Sequence, residues 1–297
     1  VFVNFLEAHL SYDPPAEYRD AHLADLDADD LTHIEWGHEV NAGVHADEEI
    51  DWNKVARLYA GDVWYADRLL GDLLAILEEH DLDDDTIVIV TSDHGEHLGE
   101  HGLIEHQFSV QEPVLAVPLV VSVPEGMRTE AWDGINGSGA TRDDPVMTTD
   151  LYATILDLAG LGEAVDAAPP SSHSLLERPA DDERFTVAEY GGPSRGLLGK
   201  LSAMNPDLDI RPLSRSLQTV RLGDLRLTID NLAQYELHDL ATDPYQKHNL
   251  AGERPEDLRK MLNIIQALQQ VQRRDAGPVQ EMDEETRRRL ESLGYVN

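Results

Sequence analysis

An α/β protein is what the order of elements predicts: a mostly parallel sheet flanked by helices, followed by a small antiparallel sheet with one helix. Three observations carry this expectation. The run TIVIV (86–90) is β-branched and too short for a helix, so it reads as a buried strand. Upstream of it, Val55, Leu58, Tyr59, Val63, Ala66, Leu69, Leu70, Leu73, Leu74 and Leu77 recur at three- and four-residue steps, the spacing of an amphipathic helix over about 53–80. Downstream, FTVAEY, LQTVRL, LRLTID and YELHDL follow one another at hairpin-like spacing before a helix over about 255–273.

The remaining segments follow in chain order. VFVNFL (1–6) is a short apolar run that reads as an inner strand. SYDPPAEY is a proline-stiffened loop, the acidic stretch 20–50 reads mostly as loop, and LDDD is a turn. After TIVIV comes a ligand-rich loop, then VPLVVSV (117–123) as a second buried strand and GINGSGATRDD as another loop. A helix from about 149 to 159 ends in glycines. Strand and helix alternating this way predict a mainly parallel sheet. AAPPSSHS (167–174) has linker composition, so the expected division is 1–175 for the larger α/β part and 176–297 for a smaller α+β part. No internal repeat is found.

Composition limits the partners. The chain has 58 Asp and Glu against 23 Lys and Arg, a formal net charge of -35, and lysine only at 54, 200, 247 and 260. Such a surface repels nucleic acid phosphates and anionic lipids. Acidity with little lysine is expected of a protein adapted to high salt, where screening reduces self-repulsion. There is no cysteine, which excludes disulfides and thiolate metal sites within this chain. The best apolar run, 114–123, contains Pro118 and falls short of the ~18–20 residues of a membrane span. The sequence starts inside an apolar run without methionine and reads as a piece of a longer protein. A cytoplasmic location is expected, with export left open because a targeting segment would lie upstream.

The chemistry concentrates in TSDHGEHLGEHGLIEHQ (91–107), which holds four histidines, three glutamates and one aspartate. Ligands of open α/β sheets gather at the carboxyl ends of strands, and Asp93 and His94 stand just past such an end. A carboxylate beside an imidazole suits a divalent cation. A rival is HLGEH (97–101), which has the H-x-x-E-H zinc protease spacing and would need a regular helix. Gly95, Gly99 and Gly102 speak against that helix, at roughly 1 kcal/mol each in a helix interior. His97 and His101 are therefore expected as loop residues.

TIVIVTSDHGEHLGEHGL, followed by the proline-led VPLVV strand, resembles the second signature region of the sulfatase family in the alkaline phosphatase superfamily. VNFLEAHLSYDPP resembles that family's strand-plus-histidine segment and TDLYATILDLAGL its helix after the metal loop. YELHDLATDPYQKHNLA and the ending RRRLESLGYVN resemble its C-terminal segments. The resemblance implies an alkaline-phosphatase-like sheet and hydrolysis of sulfate monoesters at a divalent metal, calcium first, with Mn2+, Zn2+ or Mg2+ as alternatives. By match, Asp93 and His94 would be metal ligands, His94 standing where many members have asparagine. His9 would face the anionic group or the leaving oxygen, and His106 would contact the sulfate where many members have lysine. Cation and imidazolium donors of this kind stabilise the charge that spreads over a transferring sulfuryl or phosphoryl group. A histidine can also carry the leaving-group proton.

The nucleophile is the point of departure. The family's formylglycine arises from a C/S-x-P-x-R motif near its N-terminus, and that motif is absent here. GGPSR (191–195) has only its P-x-R part, with Gly191 at the nucleophile position, and reads as a turn. Formylglycine is therefore expected upstream, and this polypeptide alone is expected to be inactive. The expected substrate is a small sulfated or phosphorylated molecule, and oligomeric state is left open. A phosphate or phosphonate ester hydrolase on the same scaffold is the alternative, to which imidazoles at 94 and 106 are suited. A non-catalytic cation-binding pseudoenzyme or a gene fragment is the alternative of a different class.

Overall fold

The computed structural model describes residues 1–23, 37–136, 139–162, 172–177 and 184–275. The sequence ending RRRLESLGYVN and most of the 167–174 linker lie outside the described residues. The chain divides into two compact units, Val1–Gly252 and Glu253–Asn297.

Helix α1 (Ala16–His22) starts directly after Pro14 and Pro15, whose fixed φ closes the preceding extended segment. A short helix, α2 (Gly37–Asn41), precedes the long α3 (Trp52–Glu79). Asp51 caps α3, its side chain accepting from the Lys54 N–H at 3.1 Å. The first turns of α3 bury Val55 and Leu58 against Tyr12, Leu23, Val40, Ile50 and Ile104. Further along, Val63, Trp64, Leu74 and Ile76 are exposed.

Strand β1 (Val88–Thr91) leads into the ligand-rich loop. That loop contains a two-residue hairpin, β2 (His97–Leu98) with β3 (Ile104–Glu105), and one helical turn, α4 (Glu112–Leu115). The chain returns as β4 (Leu119–Ser122), paired with β1 from Val88↔Ser122 to Thr91↔Leu119. This pairing is antiparallel, where the alternation of elements predicts parallel neighbours. A parallel return needs a crossover, usually a helix. Residues 92–118 are instead spent on the loop, which projects from the end of β1 and comes straight back.

Helices α5 (Glu130–Asn136) and α6 (Asp150–Leu158) follow. Asp150 is fully buried at the start of α6, where it accepts from the Met147 and His173 N–H groups and pairs with Arg184. The smaller sheet runs in the order β5 (Phe185–Tyr190), β6 (Leu217–Leu222), β7 (Leu225–Asp230), β8 (Tyr235–Asp239), antiparallel throughout as its spacing predicts. Between β5 and β6, after the turn at GGPSR, lies α7 (Arg195–Met204), a helix for which the sequence reading named no element. In the second unit, α8 (Pro255–Asp275) is the predicted helix.

One predicted strand is corrected. Residues 1–6 form no strand, and Val1, Phe2, Val3 and Leu6 are exposed. A strand exists only through its ladder, and among the described residues no neighbour pairs with this run.

Candidate metal and anion site

The site is assembled where β1 ends. Ser92 Oγ donates to the His94 carbonyl at 2.6 Å, and the His94 N–H donates to Asp93 Oδ1 at 3.0 Å, so the turn is fixed by its own side chains. Gly95 then passes under the 113–114 backbone. Its N–H donates to the Val114 carbonyl at 2.8 Å, and a Cβ here would collide with the Pro113 carbonyl oxygen. The far side of the loop is held by Asn41, whose amide bonds both backbone groups of Ile104, at 3.0 and 3.1 Å. That clamp, with Ile104 buried in the core beside α3, places Glu105 and His106.

Three of the sequence-predicted residues meet here, with the fourth beside them. The His94 and His106 rings stack with centroids 3.9 Å apart, and the His9 ring lies 5.3 Å from His106 and 6.4 Å from His94. Asp93 Oδ1 is 3.8 Å from His94 Nε2. Each imidazole has its Nδ1 against an acceptor: Leu10 O for His9 at 2.7 Å, Gly95 O for His94 at 3.0 Å, and Glu96 Oε1 for His106 at 3.1 Å. Carbonyl and carboxylate oxygens only accept, so Nδ1 carries a proton in all three, and Nε2 of each ring is the nitrogen left for another partner.

Three further residues, Glu96, Tyr12 and Glu105, belong to the cluster that sequence reasoning missed. Glu96 is buried; it accepts from the Tyr12 hydroxyl through Oε2 and from His106 through Oε1. Burial and the Glu96 carboxylate both push the Tyr12 phenol far above its ordinary range, so it stays a donor. Glu105 is also buried, and burial, reinforced by Glu96, raises its carboxyl. Glu96 stands two residues past Asp93–His94, and Tyr12 three past His9. Nothing in the sequence links the two, which lie 84 positions apart. His9, Glu96 and His106 each offer one ligand atom, and these atoms lie within 4.8 Å of one another, a spacing that could hold a metal ion.

The competing HLGEH reading fails on geometry. His97 sits in β2, and His101 adopts a left-handed backbone with φ 58°. Their rings are edge-on at 6.5 Å, not on one helical face. His97 is completely buried, and burial lowers its pKa to about 4, so it packs as a neutral ring. His101 Nε2 lies 2.9 Å from the Tyr245 carbonyl. GGPSR is likewise structural: Gly192 has φ 87°, and Ser194 caps α7 by accepting from the Leu197 N–H at 3.1 Å.

A strand-end loop with clustered imidazoles and carboxylates, in a chain of this fold, defines an alkaline-phosphatase-like α/β protein. Solved structures agree. One in complex with its substrate, D-glucosamine-2-N,6-O-disulfate, superimposes with a TM-score of 0.58 at 22% identity, covering 77% of this chain and 43% of that one. The phosphonate monoester hydrolase of Agrobacterium radiobacter superimposes at 0.56 with 20% identity, covering 79% and 45%. The chain belongs to the sulfatase family, whose model matches residues 2–161. Among curated relatives, it is 26% identical over 235 residues to the N-acetylglucosamine-6-O-sulfatase of Bacteroides thetaiotaomicron, spanning 75% of this chain and 37% of that protein.

Proposed function

We propose that this chain supplies the metal-binding and histidine-bearing part of a sulfate monoester hydrolase. The observation that carries the reading is the convergence of His9, His94 and His106 beside Asp93 at the end of β1. Asp93 and His94 fit a divalent cation by their donors, one hard carboxylate oxygen and one imidazole, with calcium first and Mn2+, Zn2+ or Mg2+ as alternatives. The bound ion supplies charge stabilisation for the transferring sulfuryl group.

His9 faces the anionic group or the leaving oxygen and can give that oxygen a proton from a ring nitrogen. His106 adds a second donor toward the sulfate, its ring orientation held by Glu96 and, behind it, Tyr12. The nucleophile, a formylglycine, comes from sequence outside these 297 residues, in keeping with the share of the curated relative that the chain spans. A small sulfated molecule is the substrate class, and a sulfated amino sugar is the first to try, given the curated relative's name. A phosphate or phosphonate monoester is the second reading, favoured by imidazoles at both 94 and 106.

In the full-length parent, Asp93→Asn lowers kcat on an aryl sulfate by at least ~10²-fold, as loss of preorganised charge should. Near-parental turnover with unchanged metal content overturns the ligand assignment. Comparing kcat/KM for an aryl sulfate, an aryl phosphate and an aryl phosphonate decides between the two readings. The 297-residue chain alone turns over none of them.

A further inference from the structure

The loop that carries Asp93 and His94 is gripped from the smaller sheet at Glu112, the first residue of α4. We propose that Arg226 on β7 and Gln246 beyond β8 are positioning residues for the site, holding Glu112 and through it the peptide that orients His94. His94 keeps the role of the proposed function, on which this rests; what sets its ring goes beyond that reading.

The grip answers needs on both sides. A helix leaves its first N–H groups without partners of its own, and in α4 Pro113 has no N–H at all. The Glu112 N–H is met from 134 positions away, by the buried Gln246 through Oε1 at 2.9 Å. The Glu112 carboxylate lies 2.5 Å from Arg226 Nη2 and 3.9 Å from Arg221 Nη1. Arg226 is only 4% exposed, and its Nε and Nη1 have no hydrogen-bond partner among the described residues. Burial works against the guanidinium charge, and the Glu112 carboxylate supports it. With Arg221 opposite Arg226 across the β6–β7 ladder, Glu112 cannot withdraw without stranding buried positive charge.

From Glu112 the constraint passes inward along the backbone. Helix α4 is a single turn, so fixing its first residue fixes the Val114 carbonyl two residues on. That carbonyl accepts the Gly95 N–H at 2.8 Å, a close approach that a Cβ at Gly95 would prevent. The Gly95 carbonyl in turn accepts from His94 Nδ1 at 3.0 Å, which turns Nε2 toward the cation position. The acceptor behind a metal-binding imidazole sets its orientation and basicity. Arg226 and Gln246 thus touch no reacting group and act through one peptide.

The same sheet holds a comparison pair. Asp230, at the end of β7, is buried and has Arg215 at 3.6 Å. Their other partners are Glu236, the Pro212 carbonyl and the N–H groups of Leu232 and Gln234, all away from the loop. Weakening this pair should cost stability without reaching Gly95.

Amide exchange and Mn2+ binding on the 297-residue chain, read beside urea unfolding, test the proposal. Arg226→Met alone would strand the Glu112 charge, so it is combined with Glu112→Gln, which removes both charges and should keep stability near the parent's. Gln246→Met removes only an acceptor. In both variants the Gly95 amide should exchange at least ~10-fold faster while the amides of β6 keep their protection. Mn2+ should bind roughly 3–10-fold more weakly. In the full-length parent the same changes should lower kcat on an aryl sulfate roughly 3–10-fold with KM within about twofold. Asp230→Asn should lower stability and leave Gly95 exchange and Mn2+ affinity as they are. Parental Gly95 protection in both variants overturns the proposal, as does faster Gly95 exchange with unchanged Mn2+ affinity. So does an equal effect of Asp230→Asn, since a merely structural role ties the loop to overall stability. Parental turnover after Asp93→Asn would instead count against the proposed function and leave the Gly95 result standing.

Discussion

Between Ser92 and Pro118 the backbone takes positive φ at Gly99, His101, Gly102, Glu105 and Phe108, three of them not glycine. From β5 to β8 the ladder is continuous, and the left-handed residues fall between strands, at Gly192, Gly223 and Ala233. Both regions bury ionisable groups. In the sheet they are matched by opposite charge: Arg226 reaches Glu112 at 2.5 Å, and Asp230 has Arg215 at 3.6 Å. In the loop, Glu96 and Glu105 are buried near each other, and Glu96 is met by a phenol and an imidazole. Buried charge that is paired adds little net stability but is costly to break, whereas carboxylates gathered without strong cations are poised to take one. The sheet is built for persistence, and the loop for binding.

The strongest way to break this contrast is to damage the sheet and look at the loop. Leu227 is fully buried in the middle of β7, so Leu227→Ala should cost ~2–5 kcal/mol by lost burial and a residual cavity. Urea unfolding reads the loss. Metal affinity measured well below the unfolding midpoint should be unchanged. A parallel fall in both would mean that the loop takes its geometry from the sheet interior.

A substitution in the loop should show the reverse weighting. Gly99 has φ 115°, and a Cβ there would stand 2.6 Å from the Trp52 ring. That ring is itself held by a 2.8 Å bond from Nε1 to Asp47. Gly99→Ala should therefore cost ~1–3 kcal/mol, less than the sheet cavity. It should also move the hairpin that carries Glu105 and His106, lowering metal affinity out of proportion to stability. Unaltered metal affinity would show that the Asn41 clamp alone fixes His106.

How far each region was legible follows the same division. The sheet is regular, so period and spacing in FTVAEY, LQTVRL, LRLTID and YELHDL gave its four strands, and helical steps gave α3 and α6. Pairing is not periodic, and this is where sequence reading stopped. VFVNFL has strand composition but no described neighbour, and β1 and β4 run antiparallel because the loop between them carries no crossover helix. RGLLGKLSAM carries two glycines, Gly196 and Gly199, at helix-interior positions, which mask the helical spacing of Leu197, Leu201 and Met204 in α7. In the loop, Asp93, His94 and His106 stand in one recognisable motif. Glu96 was hidden because its burial depends on Tyr12, a contact made only by the fold.

The segment that carries His9 and Tyr12 offers a test by pH. Asp62 on α3 is buried, with Oδ2 unpartnered, and its carboxyl accepts from the Asp13 backbone. Burial chiefly, with Asp13 and Glu7 adding repulsion, raises its pKa to about 7. A raised folded pKa favours the fold below the ordinary carboxyl range, and that stability is lost as pH climbs through about 7. Asp62→Asn escapes the loss. It should match the parent near pH 4 and exceed it by ~1–3 kcal/mol at pH 8, read from urea midpoints. A difference independent of pH would mean that the charge at 62 is not what limits stability there.

The smallest effect is expected where the two regions meet. Helix α7 buries Leu201 with Ala42 and Phe108, so it props the end of the site loop from the side of the sheet. Its first turn depends on Ser194, whose hydroxyl oxygen accepts the Leu197 N–H at 3.1 Å. Ser194→Ala removes that cap and should cost ~1 kcal/mol. Because Leu201 remains packed, the loss should fray the first turn, with faster amide exchange at 195–198 and no change in metal affinity. A fall in affinity would make α7 part of the machinery that positions the loop, and the division between persistent sheet and binding loop would then have to be drawn through this helix.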